Sequence, residues 1–349
     1  MDYKIKTIPE DFVVQESQCM YMSPVRRDFH YTIFLLIKKG YTTFEAVEAI
    51  ANFGNISQGE IGYAGLKDED GLTFQNISVN ADLILTDKIN DFNSKYGGTK
   101  KYISLKVIGY SDTRIKIGQL QGNAFNIKIR NVDQKVGKCL KERTKKRVFF
   151  PNYYDTQRFG IPNMPKRTHL VGKALYEKDF TLAAQYLKEG MLLDHSNQDE
   201  YLDAKEFFNQ MDRGKLSFYY NAYTSTMYNA FLNDYIRANT QYVELIYDEI
   251  SFALPINGFS FAQSENGIEK ICVPRYDIDK NMELTLKYYY RFTYINTIFH
   301  VQKVSIDALN DGKIAIDVDF FLPPGCYATM AIKQFMCDIK QKLIDERRA

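Results

Sequence analysis

Two apolar runs flank a cluster of charge at Gly65-Leu66-Lys67-Asp68-Glu69-Asp70-Gly71-Leu72-Thr73-Phe74-Gln75, and this leaves the backbone few options. The cluster carries too much charge to be core, so the chain must leave the interior here and return. Ile61 to Ala64 leads in and Thr73 to Val79 leads out as a β-type run, which predicts strand–loop–strand with Lys67-Asp68 at the tip. Gly71 is placed to allow a tight return. Taken alone, a Lys-Asp-Glu-Asp cluster marks a solvated turn. An Asp beside a Lys on such a loop is also where a fold presents a carboxylate to a substrate.

The other elements follow from periodicity. Phe29 to Ile37 predicts a strand, rich in β-branched and aromatic residues. A helix follows from the capping box Thr42-x-x-Glu45, with Phe44, Val47, Ile50 and Ala51 on one face and Gly54 as its stop. Lys101 to Ile108 and Phe125 to Ile129 read as strands. Asp133 to Arg147 reads as a basic helix able to lie on phosphates. Pro151, Gly160, Pro162 and Pro165 punctuate a domain boundary. Helices are expected within His169–Leu187 and Asp212–Ala238, and strands from Tyr242 to Leu286. Near the end, Ile314, Ile316, Val318 and Phe320 alternate with polar or small residues as a half-buried strand. Pro323-Pro324-Gly325 turns the chain, and Ala328, Ala331, Ile332, Phe335 and Ile339 share a face of a last helix. Strands and helices mixed in this way, with few β-α-β units, predict an α+β fold.

Composition narrows the function classes. The chain of 349 residues is 45% hydrophobic and 25% charged, as in soluble globular proteins, and is long enough for two domains. Its longest apolar run, Ile33 to Ile37, is too short to span a bilayer. Met1-Asp2-Tyr3-Lys4 opens without a signal-type apolar run, so a cytoplasmic protein is expected. Cys19, Cys139, Cys272, Cys326 and Cys337 are scattered, and His30, His169, His195 and His300 are isolated, so no metal site is expected. The net charge of +2 hides an asymmetry. Gly160 to Lys287 holds 13 Lys and Arg against 18 Asp and Glu, while the rest holds 32 against 25. A polyanion should therefore touch mainly the basic part.

Four segments, in order along the chain, resemble the TruD family of pseudouridine synthases. They are Pro9-Glu10-Asp11-Phe12-Val13-Val14; Ala64-Gly65-Leu66-Lys67-Asp68 with Thr73-x-Gln75; Gly122-Asn123-Ala124-Phe125; and Phe321-Leu322-Pro323-Pro324-Gly325-Cys326-Tyr327-Ala328-Thr329. Asn152-Tyr153-Tyr154-x-x-Gln157-Arg158-Phe159-Gly160 is a fifth. Where relatives carry an Arg-Arg-Pro-like signature, Lys287-Tyr288-Tyr289-Tyr290-Arg291 matches poorly.

The resemblance implies a pseudouridine-synthase catalytic domain with a mixed, largely antiparallel sheet. It is expected from residues 1–159 and 288–349, with an inserted α/β TRUD domain at 160–287. It implies isomerisation of a uridine in tRNA, typically at position 13, by a monomer that needs no cofactor. The glycosidic C–N bond breaks, the uracil turns, and a bond forms through C5. Asp68 matches the catalytic carboxylate, acting as nucleophile at C1′ or C6 or as a base on a sugar proton. Such a carboxylate must stay ionised where water is excluded, and a cation within about 4–6 Å favours that form. Lys6 matches the lysine that pairs with it, which turns Lys67 toward RNA phosphate. Phe12 and Tyr327 match aromatics that stack on the flipped nucleotide, Asn123 fits a uracil-edge contact, and Phe125 shapes the pocket wall. Two alternatives stay open: the same chemistry at another RNA position, and an RNA-binding chaperone that keeps the scaffold without turnover.

Overall fold

The computed structural model describes the chain except residues 1–2, 81–85, 141, 193–202, 257, 259–267, 280–282 and 349. His195, singled out above, and Lys141, within the stretch Asp133 to Arg147, lie outside the described residues. Packing divides the chain into two compact units, residues 1–147 with 297–325, and residues 148–296 with 326–349.

The first unit is built on a mixed sheet. Its strands are β1 (Phe12–Ser17), β2 (Tyr31–Lys39), β3 (Gly62–Tyr63), β4 (Leu72–Asn80), β5 (Tyr102–Ser111), β6 (Gly122–Val132), β7 (Thr144–Pro151), β12 (Tyr294–Ile306) and β13 (Ile314–Leu322). Their order is β5-β2-β4-β1-β6-β13-β12-β7, with β3 beside β4. Of β7 and β12, residues 144–147 and 297–306 belong to this unit. β1 and β4 run parallel, whereas β1–β6, β6–β13, β12–β13, β2–β4, β2–β5 and β3–β4 run antiparallel. The α+β expectation with a largely antiparallel sheet holds.

Helix α1 (Thr43–Gly54) covers one face of this sheet. The capping box closes as expected: Thr42 Oγ1 accepts from Glu45 N, and Glu45 accepts from Thr42 N. Ala46, Val47, Ile50 and Ala51 pack on Phe34, Leu36, Ile77 and Leu105. Phe44, expected on that face, is exposed instead, and Ala46 takes the inner position. Asn55, in the left-handed conformation at φ 52°, ends the helix one residue beyond Gly54. A short helix, α2 (Ile89–Lys95), buries Phe92 in the same cluster.

The basic helix expected over 133–147 does not form. Only α3 (Gln134–Lys138) is helical, capped by Asp133. Arg143 then turns left-handed at φ 58°, and Thr144 onward is β7. The charge run carries no apolar stripe to bury as a helix, whereas Val148, Phe149 and Phe150 favour a strand.

In the second unit, α4 (Thr168–Tyr176), α5 (Phe180–Glu189), α6 (Ala204–Gln210) and α7 (Arg213–Asn239) share a core of Val171, Leu175, Leu187, Phe208, Leu216 and Tyr219. Each of α5, α6 and α7 begins on an Asp that caps it: Asp179, Asp203 and Asp212. Two hairpins follow, β8 (Tyr242–Tyr247) with β9 (Ile250–Pro255), and β10 (Lys270–Ile278) with β11 (Leu284–Phe292). The last helix, α8 (Ala328–Arg348), buries Ala328, Ala331, Ile332, Phe335 and Ile339, the face read from the sequence.

Candidate active site

The loop between β3 and β4 is held from several sides by hydrogen bonds to its backbone. Lys38, the penultimate residue of β2, donates to the carbonyls of Lys67 (3.2 Å) and Asp68 (2.7 Å), and to that of Tyr41 (2.8 Å). Thr43, opening α1, accepts from Lys67 N at 2.9 Å. It also donates to Gln75 Oε1 at 3.2 Å, while Gln75 Nε2 donates to Gly65 O at 3.3 Å. Gly71 serves by close approach: a Cβ there would lie 2.7 Å from the Phe12 carbonyl, where β4 runs in beside β1.

This scaffold turns Asp68 toward Lys6, with Oδ2 and Nζ 3.2 Å apart and both side chains partly exposed. The Lys6 ammonium also lies 4.4 Å from the centre of the Phe12 ring. Lys6 itself adopts the left-handed region at φ 57°. That conformation costs a non-glycine residue about 1–2 kcal/mol and concentrates at functional sites. The segment behind Lys6 is pinned. Lys4 and Arg130 exchange backbone hydrogen bonds. Asp11 accepts from Arg130 Nε at 2.7 Å, and Arg130 also reaches Asp307 at 2.9 Å. Asp307, although buried, is held down at about 2 by the backbone N–H groups of Asn131 and Leu309 with Asn310 and Arg130. Glu69 and Asp70 are exposed, as a solvated turn requires.

Two expectations need correction. Lys67 does not face outward. Its ammonium meets Glu16 Oε2 at 2.5 Å, with the two side chains only 5% and 0% exposed. Glu16 stands at an inward position of β1, where burial pushes its carboxyl up despite the ammonium beside it, and that charge draws Lys67 in. Phe12 offers no open ring for stacking. It is 2% exposed, beneath Lys6 and edge-on to Phe125 at 6.0 Å. Phe125 is likewise core, stacked on Phe320 at 5.3 Å.

Asn123 pairs laterally with Glu16 on β1 and Leu322 on β13. Its side-chain oxygen is buried and accepts no hydrogen bond among the described residues. A buried unpaired acceptor is costly, and a ligand donor is one way to satisfy it. The first unit thus brings Lys6, Phe12, Lys67, Asp68, Asn123 and Phe125 into one constellation.

Tyr327 belongs to the second unit, at the turn before α8. Burial pushes its hydroxyl up to about 12, opposed by Arg158 and Arg291. It lies edge-on to Tyr154 at 6.2 Å. The Arg291 guanidinium covers Tyr154 at 4.0 Å and donates to Asn152 O and Oδ1. Asp155 accepts from Thr329 and pairs with Lys333 at 2.5 Å, tying the Arg158 turn to the start of α8. Among the described residues, no group of three or more His, Cys, Asp or Glu is arranged to hold a metal ion.

Sequence reasoning missed Glu16, Lys38, Thr43 and Arg130. Their signal was faint: Glu16, Lys38 and Arg130 are charged residues inside apolar strands, which read as the solvent face, and Thr43 reads only as part of a helix start.

A family model described as tRNA pseudouridine synthase D (TruD) matches residues 1–198, more than half of the chain. The chain belongs to the TruD family. That match contains every candidate site residue of the first unit and stops short of Tyr327. A "Probable tRNA pseudouridine synthase D" of Thermococcus onnurineus is 37% identical over 188 residues, 52% of this chain and 41% of that protein. One from Pyrococcus furiosus is 33% identical over 58% of this chain and 47% of its own length. The chain thus spans less than half of these TruD relatives. With the tRNA pseudouridine synthase D of Aquifex aeolicus, identity is 26%, over 97% of this chain and 100% of that protein. A crystal structure from Methanosarcina mazei described as "Putative tRNA pseudouridine synthase D (TruD)" superposes with a TM-score of 0.58 at 20% identity, covering 95% of this chain and 93% of that one, which shows the shared fold.

Proposed function

We propose that this chain is a tRNA pseudouridine synthase that isomerises uridine, at position 13 of tRNA, with Asp68 as the catalytic carboxylate. The observation that carries this reading is the Asp68–Lys6 pair at 3.2 Å on a loop whose backbone is fixed by Lys38, Thr43 and Gln75. A partly exposed, paired carboxylate on a rigid loop is pre-organised for attack or proton abstraction. Lys6 balances its charge as the substrate displaces water. The unpaired Asn123 oxygen suits the N3–H of a flipped uracil, the donor that distinguishes uracil from cytosine at that position. Tyr327 supplies the aromatic contact to the nucleotide.

In this reading the catalytic domain comes from residues 1–159 and 288–349, with the insertion at 160–287. The enzyme works as a cytoplasmic monomer. The Aquifex relative, similar over nearly the whole chain and named tRNA pseudouridine synthase D, supports the tRNA assignment. The test is to map pseudouridine in tRNA from cells lacking this protein, complemented with wild type or Asp68→Ala. Wild type restores the modification at position 13 and the variant does not. Restoration by Asp68→Ala refutes the catalytic assignment, and restoration at another position refutes the site.

A further inference from the structure

Lys38 is a charged side chain where the fold has no evident need of one. It is fully buried at the end of β2, opposite Thr73 on β4 and Ile103 on β5, neither of them titratable. Among the described residues it makes no ion pair. Its ammonium has three N–H donors, and the three carbonyls of Tyr41, Lys67 and Asp68 accept them at 2.8, 3.2 and 2.7 Å. A methionine would fill the same space without burying a charge. What the ammonium adds is a single point that fixes two successive peptide planes of the loop and joins them to the residue preceding the cap of α1. Fixing the carbonyls on both sides of the Asp68 N–Cα unit fixes the direction of its Cα–Cβ bond, and so where the carboxylate points.

We propose that Lys38 is the positioning residue that sets the Asp68 carboxylate, by holding the Lys67 and Asp68 carbonyls from beneath the loop. The inference rests on the reading of Asp68 as the catalytic group. It extends to pH. Burial holds the Lys38 ammonium down at about 8, with Asp68, Glu69 and Glu45 favouring the charged form and Lys67 opposing it. A neutral amine has only two N–H groups for three carbonyls, so the clamp loosens as Lys38 loses its proton. The effect on fold stability has the opposite sign. Because the folded-state value lies below the unfolded one, the unfolded chain binds the extra proton between about 8 and 10.5. This group therefore adds stability as pH rises through that range. Loss of activity there reports the loop and not unfolding.

The experiment compares the full chain with Lys38→Met and Asp68→Asn on a tRNA transcript, by single-turnover kinetics, tRNA binding and thermal unfolding. For Lys38→Met the expected result is a single-turnover rate lower by about 100-fold, with tRNA affinity held within about 3-fold. The wild-type rate falls above about pH 8, and the variant lacks that alkaline limb. A Lys38→Met rate within about 3-fold of wild type, an equal loss of rate and affinity, or a surviving alkaline limb overturns the inference. If Lys38→Met does not fold, hydrogen exchange of wild-type residues 65–71 at pH 7 and pH 9 decides. Exchange there must rise beyond the intrinsic base-catalysed increase, and no excess overturns the proposal. Asp68→Asn separates the two claims. Turnover by Asp68→Asn refutes the reading of Asp68 itself. An inactive Asp68→Asn beside a fully active Lys38→Met refutes only the role of Lys38.

Discussion

Besides Lys38, which holds the Asp68 backbone from below, Lys6 and Lys67 stand beside Asp68, and the structure gives these two different work. Lys6 reaches the carboxylate at 3.2 Å from a left-handed backbone, with the Phe12 ring beneath its ammonium. Lys67, adjacent in sequence, turns the other way and neutralises Glu16 inside the sheet. Lys6→Met should therefore lower the single-turnover rate by about 100-fold while tRNA affinity changes by less than about 3-fold. An equal loss of both would recast Lys6 as a phosphate contact. Breaking the inner pair is a matter of folding. Lys67→Met leaves the Glu16 carboxylate buried without its cation, which costs about 3–5 kcal/mol of stability. Urea unfolding measures this, and Lys67→Met combined with Glu16→Leu should recover most of the loss; a double variant as unstable as the single one would contradict it.

At the scale of elements, the loop is rigid because a strand end, a helix start and a neighbouring strand each tie down its backbone. Much of this was legible in the sequence. The capping box at Thr42 marks the start of α1, and Thr73-x-Gln75 marks the strand that supports the loop. The pairing of Asp68 with Lys6 was expected from the motifs, and the two groups lie 3.2 Å apart. Lys38 and Glu16 were not legible, because a strand's alternation says which face a residue occupies and not which loop will close over it. The run ending at Arg147 misled for the converse reason. Its charges hid a strand whose buried positions begin only at Val148. His169 is another group, half-buried, that the sequence could not place. It packs edge-on against Phe159 at 5.3 Å, and burial holds it down at about 4 from its ordinary 6.5. The folded ring stays neutral where the unfolded one takes a proton, so His169 contributes stability above about 6.5 that is lost as pH falls toward 4. His169→Phe keeps the ring contact and should flatten the fall in Tm between those values; an unchanged slope would assign the acid sensitivity to another group.

For the whole molecule, a basic portion that carries the carboxylate loop is joined in sequence to a mildly acidic stretch between Gly160 and Lys287. The division into units was only partly legible. Proline and glycine mark the chain near residue 160, whereas packing assigns residues 148–296 with 326–349 to the second unit. The reason is that β7 and β12 each continue past the division, which no local signal in sequence announces. No helix among the described residues is long and apolar enough to cross a membrane. All of this serves one claim, that the Asp68 carboxylate converts a tRNA uridine. The most direct measurement incubates the purified chain, and its Asp68→Asn variant, with a tRNA transcript and maps pseudouridine base by base. The account predicts pseudouridine at position 13 with wild type and none with the variant, while both bind the transcript alike. Modification by the variant, or none by a folded wild-type protein that binds the transcript, would contradict it.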